Sequence, residues 1–207
     1  MNSIKTKLAE DLREAGWHSR GYLPHFDGGE LAQTINWRLA DSLPQTVLKR
    51  WKNELAENLS ANAEAVLRRR IESYLDQGYG NCALKDKRVA GMIQESLLHF
   101  DDQRYRLSAW VLMPNHVHIL VTPDASWSLP KIMKSLKSYT AHEANKILGR
   151  SGQLWMEDYF DRYVRDERHF RNAISYIENN PLKAGLCKKA RDWKFSSAWF
   201  RNSKSDE

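Results

Sequence analysis

The chain has 207 residues, 42% apolar and 28% charged, which suits one well-buried domain and gives no support for wholesale disorder or a fibrous chain. Lys and Arg number 32 against 26 Asp and Glu, a net charge of +6 that favours anionic partners. No apolar run approaches the roughly 20 residues of a membrane helix, and the N-terminal stretch lacks the apolar centre of a secretory signal, so a cytosolic location with no membrane partner is expected.

In chain order, residues 1–18 read as a polar N-terminal extension. "HSRGYLPHFDGG" is an irregular segment punctuated by Gly and Pro. "ELAQTINWRLAD" alternates as a strand, with Ile35, Trp37 and Leu39 on one face. From Pro44 to about Gln77 the spacing turns helical and stops at "DQGYGN". "DKRVAGMIQESLLHFDD" is a second amphipathic helix, with Val89, Ile93, Leu97 and Phe100 along its apolar side. "RYRLSAWVLMPNHVHILVTP" gives two strands bent at Pro114-Asn115, because proline cannot donate to a central ladder. A helix follows from about Pro130 to Leu148, then an aromatic, turn-like piece, then a helix from about Glu167 to Asn179 that ends before Pro181. Cys82 and Cys187 are too few and too far apart for a cysteine metal site and are expected to be free thiols.

These elements predict an α+β protein of ferredoxin-like kind, an antiparallel sheet with helices on one face and a helical C-terminal extension. The expected division is an extension over 1–18, a catalytic domain over 19–150, and a basic, aromatic extension over 151–207 packed on the same domain. Basic residues also cluster locally: five against one acid, Glu143, between Lys131 and Arg150, and five against Asp192 between Lys183 and Lys194.

Chemistry concentrates in "NHVHILV". Side chains two apart on a strand share a face, so His116 and His118 project together and can hold one divalent ion, while Val117 and Ile119 face the other way. On a helical wheel anchored at Ile132, Tyr139 and Glu143 fall inside the apolar, sheet-facing stripe of the following helix, one turn apart. The expectation is that both face the histidine pair. Two His and one carboxylate leave open positions on Mg²⁺ or Mn²⁺ for substrate oxygens, and a tyrosine beside such an ion suggests covalent phosphoryl chemistry.

"MPNHVHILV" followed by "SLKSYTAHEAN" resembles the HUH single-tyrosine transposases, and within them the REP-associated tyrosine transposases of bacteria. The likeness extends through "GQLWMEDYFDRYVRDERHFRNAISYIENNPLKAGL" to "DWKFSSA", with little of it in 1–18 and much of 45–85. It implies cleavage of single-stranded DNA beside a hairpin, through a 5′-phosphotyrosine and a free 3′-hydroxyl, in a nucleoid-associated enzyme acting as monomer or homodimer. By position it assigns His116 and His118 as the metal pair, Tyr139 as nucleophile and Glu143 as third ligand. One departure accompanies this assignment: relatives often carry an amide four residues after the tyrosine, where this chain has Glu143. A non-catalytic hairpin-binding protein of the same fold is the alternative reading. For DNA contacts the expected residues are Arg20, His25, Lys131, Lys134, Lys137 and Lys146 for phosphates, with Trp155, Tyr159 and Phe160 near Arg162 and Arg165 for unpaired bases.

Overall fold

The computed structural model describes residues 17–19, 24–26, 29–57 and 63–205. A short antiparallel pair, β1 (Trp17–Ser19) and β2 (Pro24–Phe26), precedes the main sheet. That sheet has four antiparallel strands, β3 (Gln33–Arg38), β4 (Tyr105–Leu112), β5 (His116–Pro123) and β6 (Phe160–Tyr163), in the order β4-β5-β3-β6. Helices α1 (Gln45–Glu57), α2 (Ala63–Asp76) and α3 (Lys87–His99) lie between β3 and β4, and α4 (Leu129–Ile147) lies between β5 and β6. After β6 come α5 (Glu167–Glu178), the single turn α6 (Asn180–Lys183) and α7 (Ser197–Ser205). A β-α-β-β-α-β path with its first and third strands central is the ferredoxin-like arrangement expected from the sequence.

Local chemistry sets these boundaries. Asp86 caps α3 by accepting from the Arg88 N–H at 2.9 Å, and Asp166 caps α5 by accepting from the His169 N–H at 2.7 Å. Pro114, with no N–H to give, sits in the tight β4–β5 turn, which Met113 N–H closes onto the His116 carbonyl at 2.9 Å. Gly80 has φ +87°, and a Cβ there would lie 2.9 Å from the Asp41 carbonyl, so the "DQGYGN" stop needs glycine at that point.

Strand β5 is buried on both sides, and alternation divides its residues between two cores. Val117, Ile119 and Val121 join Ile35 and Trp37 of β3 against Val89, Ile93 and Leu97 of α3 and Ile132, Met133 and Leu136 of α4. The opposite face carries Leu120 with Ala109 and Val111 of β4 and Met113 of the turn after it, under Ala173 and Ile177 of α5. A third cluster, Leu43, Leu48, Ile71 and Leu75, joins α1 and α2 beside Phe160. The C-terminal stretch is integral to the sheet. It supplies β6, which the sequence reading took for a turn-like piece, and it covers the β4 edge, where Leu112 N–H donates to the Phe195 carbonyl and the Trp193 indole to the Leu112 carbonyl, both at 2.9 Å. The two cysteines are free, as expected, and no helix among the described residues is long and apolar enough to cross a membrane.

Candidate active site

His116 and His118 lie on the β5 face that carries Leu120, the face covered by α2 and α5 rather than by α3 and α4. Both rings are buried, with centroids 4.8 Å apart. Burial pushes both imidazoles down, His118 to about 4 and His116 well below its ordinary value, with His118 adding to the effect at His116 and Lys183 to that at His118. Both are therefore neutral at physiological pH, the form that ligates metal.

Asn115 orients the first ring. Its Oδ1 accepts from His116 Nδ1 at 2.7 Å, which leaves Nε2 as a lone pair. Its Nδ2 donates to the Leu75 carbonyl at 3.1 Å and the Tyr79 carbonyl at 2.9 Å, tying the end of α2 to the β4–β5 turn. Asp76, the last residue of α2, brings Oδ1 to 3.9 Å from His116 Nε2; with the imidazole neutral this is not an ion pair. Burial first, then the charge of Glu72, pushes the Asp76 carboxyl up to about 6, against the pull of Lys183.

Around His118 the chain assembles a second group of side chains, all from α2, α5 and α6. The Tyr176 ring stands edge-on to His118, centroids 5.9 Å apart, with Lys183 Nζ 4.3 Å from its centre. The Tyr176 hydroxyl interacts with the Glu72 carboxylate and the Asn180 amide; burial, then the charges of Glu72 and Asp76, raise its pKa. Asn180 Nδ2 also lies 3.4 Å from His118 Nε2, while its Oδ1 is buried with no hydrogen-bond partner. His118 and Tyr176 open onto a groove of about 270 Å³ between α2 and α5, whose walls include Glu72, Arg68, His169 and Asn172.

Tyr139 and Glu143 are not part of this arrangement, which corrects the expectation from the helical wheel. Tyr139 is 53% exposed. Glu143 accepts from Lys146 Nζ at 2.9 Å and lies 3.9 Å from His142 Nε2. Two physical reasons account for the miss. The buried stripe of α4 runs through Leu129, Ile132, Met133, Leu136, Thr140 and Ala144, centred about 60° beyond Ile132, which leaves Tyr139 on its flank. The helix also covers the Val117/Ile119 face, and strand alternation sends the histidines the other way.

Other expected contacts divide. Trp155 is core: 4% exposed, its indole donates to Thr140 Oγ1 at 3.0 Å and it stands edge-on to Trp37, so it cannot stack on a base. Lys137 is committed to the Glu157 carbonyl beside the Tyr159 ring, and burial takes its ammonium down to about 8 against the pull of Asp158 and Glu157. Lys146 is engaged by Glu143. Lys131 and Lys134 are exposed on α4, Arg162 and Arg165 are exposed near the start of α5, and Phe160 and Tyr159 are half-buried. Arg20 lies outside the described residues; His25 falls in β2, of which only the backbone is described. Tyr176 and Asn180, which the sequence reading missed, have the four-residue tyrosine-to-amide spacing whose absence after Tyr139 had marked a departure.

Part of the chain resembles known proteins. Residues 83–180 match the family model described as "Transposase IS200 like", a segment that begins beyond α2 and ends at Asn180. More particularly, the chain is similar to a REP-associated tyrosine transposase of Escherichia coli K12, 26% identical over 97 residues that cover 46% of this chain and 56% of that one. It is also similar to a putative REP-associated tyrosine transposase of Haemophilus influenzae, 24% identical over 96 residues, covering 42% and 54%. The match thus spans about half the length of these curated relatives. Among solved structures, a REP-associated tyrosine transposase bound to a REP hairpin is 16% identical, with a TM-score of 0.47 over 87% of this chain and 81% of that one. A putative transposase from Deinococcus radiodurans is 18% identical, with a TM-score of 0.31 over 79% and 96%.

Proposed function

We propose that this chain cleaves and rejoins single-stranded DNA beside a hairpin, with Tyr176 as nucleophile and a divalent ion, Mg²⁺ or Mn²⁺, held by His116, His118 and the Asn180 amide oxygen. The donor set suits such an ion. Both imidazoles are neutral, Asn115 fixes the His116 tautomer, and Asn180, whose Nδ2 lies 3.4 Å from His118 Nε2, has a buried amide oxygen without a partner. When bound, the ion would supply charge stabilisation to the non-bridging oxygens of the scissile phosphate.

The protein's own groups do the rest. Tyr176 attacks phosphorus, the bond to the 3′-oxygen breaks, and a 5′-phosphotyrosine and a 3′-hydroxyl result. A phenol, with a reference pKa of about 10, leaves more readily than an alkoxide, so the covalent bond stays exchangeable and rejoining is open. Lys183 over the Tyr176 ring and Arg68 in the groove wall put positive charge where phosphate charge would lie. The hairpin component rests on the resemblance to the REP-associated enzymes, with exposed Lys131 and Lys134 available for its phosphates. Histidines, tyrosine and amide come from one chain, so a single protomer suffices for the site.

The observation that carries this reading is the meeting of His118, Tyr176 and Asn180 in one buried cluster at the mouth of a groove. Its test is covalent capture of a hairpin oligonucleotide with Mn²⁺ by two variants. Tyr176→Phe is expected to lower adduct formation by more than about a thousandfold, and Tyr139→Phe to leave it within about twofold. Adduct formation that survives Tyr176→Phe would overturn the assignment.

A further inference from the structure

The groove holds one acidic side chain beside the reacting tyrosine that the family match does not cover. Glu72 lies on α2, outside the family-matching segment 83–180. Its carboxylate interacts with the Tyr176 hydroxyl, and both side chains line the same groove. The other groups facing it are Arg68 and Asp76 on its own helix, Tyr176 on α5 and Lys183 on α6. Asp76 is directed at His116 instead, 3.9 Å away, and both imidazoles are claimed by the metal site, so Glu72 is the base in place for the phenol.

Resting on the assignment of Tyr176 as nucleophile, we propose that Glu72 is the proton acceptor of the cleavage step and the proton donor of rejoining. As the Tyr176 oxygen bonds to phosphorus, its proton passes to the Glu72 carboxylate; the bond from phosphorus to the 3′-oxygen breaks, and that oxygen takes a proton from water on the open side of the groove. In rejoining, a 3′-hydroxyl attacks the phosphotyrosine, releases its proton to water, and protonated Glu72 returns a proton to the departing phenol oxygen. Burial supports this role, because it raises the Glu72 carboxyl and makes it a stronger base than an ordinary surface glutamate. The family-matching segment thus supplies the nucleophile and metal donors, and α2 supplies the base.

The experiment measures the rate of adduct formation with a hairpin oligonucleotide and Mn²⁺ for the full chain and for Glu72→Gln, Glu72→Asp and Tyr176→Phe, alongside hairpin affinity. Glu72→Gln keeps a hydrogen-bond acceptor of the same shape but cannot take a proton, so a purely positioning role would survive it. Expected at pH 7 is a loss of about a hundredfold or more in rate at unchanged affinity, narrowing as pH rises toward 9 and solvent hydroxide takes the proton instead. Glu72→Asp, which keeps a carboxylate one methylene shorter, is expected to retain more activity than Glu72→Gln. Rates for Glu72→Gln within about threefold of the parent across that range, or Gln outperforming Asp, would overturn the proposal. If Glu72→Gln weakens hairpin binding, the order of the Asp and Gln variants at saturating DNA decides. An adduct that persists in Tyr176→Phe would instead refute the tyrosine assignment, so the two failures are distinguishable.

Discussion

The two faces of β5 show how one strand serves two purposes. Toward α3 and α4 it presents Val117, Ile119 and Val121 to a dry apolar core. Toward α2 and α5 it presents His116 and His118, neutral and buried, beside Tyr176, Asn180 and Glu72. Residues one apart in sequence are thus separated by the sheet itself. The helix next in sequence, α4, serves the structural face, and the reactive face is completed by helices from either end of the chain.

That contrast can be tested on adjacent residues. Ile119→Ala is expected to destabilise the fold by about 3 kcal/mol, as large-to-small changes in closed cores do, with little effect on Mn²⁺ affinity. His118→Ala should do the reverse, lowering Mn²⁺ affinity by about a hundredfold or more while costing clearly less stability at pH 7. Denaturant unfolding and calorimetric titration read the pair; equal stability losses with unchanged metal binding would erase the distinction. Next in size is Asn115→Ala, which removes the acceptor for His116 Nδ1 and both ties to α2. A stability loss of about 2 kcal/mol and an affinity loss of about tenfold are expected, whereas wild-type metal affinity would mean that the ring is held by packing alone.

A smaller effect belongs to Lys137, on the helix of the dry face. Its folded pKa of about 8 lies below its ordinary 10.5, so between those values the unfolded chain holds the extra proton and the native state gains stability as pH rises. The burden is full at pH 7. Lys137→Met should therefore stabilise the fold by about 1 kcal/mol at pH 7, with the advantage shrinking above pH 8 and gone by about pH 10.5. An advantage that stayed constant from pH 7 to 10.5 would show that the gain is packing and not charge.

Much of the scaffold could be read from local pattern. Alternation in "QTINWR" and "HVHILV", Pro114 in the turn and the apolar spacing of α3 and α4 are properties of neighbouring residues, and each appears where expected. The shared face of His116 and His118 follows from the same alternation. Which helix covers that face does not, because it depends on where α4 and α5 dock, and a wheel drawn for α4 alone placed Tyr139 and Glu143 in the stripe. Tyr176 and Asn180 did carry a local signal, a tyrosine and an amide four apart in "YIENN", but Pro181 marked only a helix end, and the chain continues past it into α6. Glu72 and Asp76 gave none: their meeting with the histidines joins residues 40 or more positions apart through the packing of α2. Asn115 was legible as a turn residue but not as the group that orients His116.

The most direct test of the central claim is to trap the covalent adduct with a hairpin oligonucleotide, digest it with protease, and locate the nucleotide-bearing tyrosine by mass spectrometry. The account predicts a 5′-phosphate on Tyr176, in the peptide that spans α5 and the start of α6. A phosphate on Tyr139, or strand cleavage with no tyrosine adduct, would contradict it.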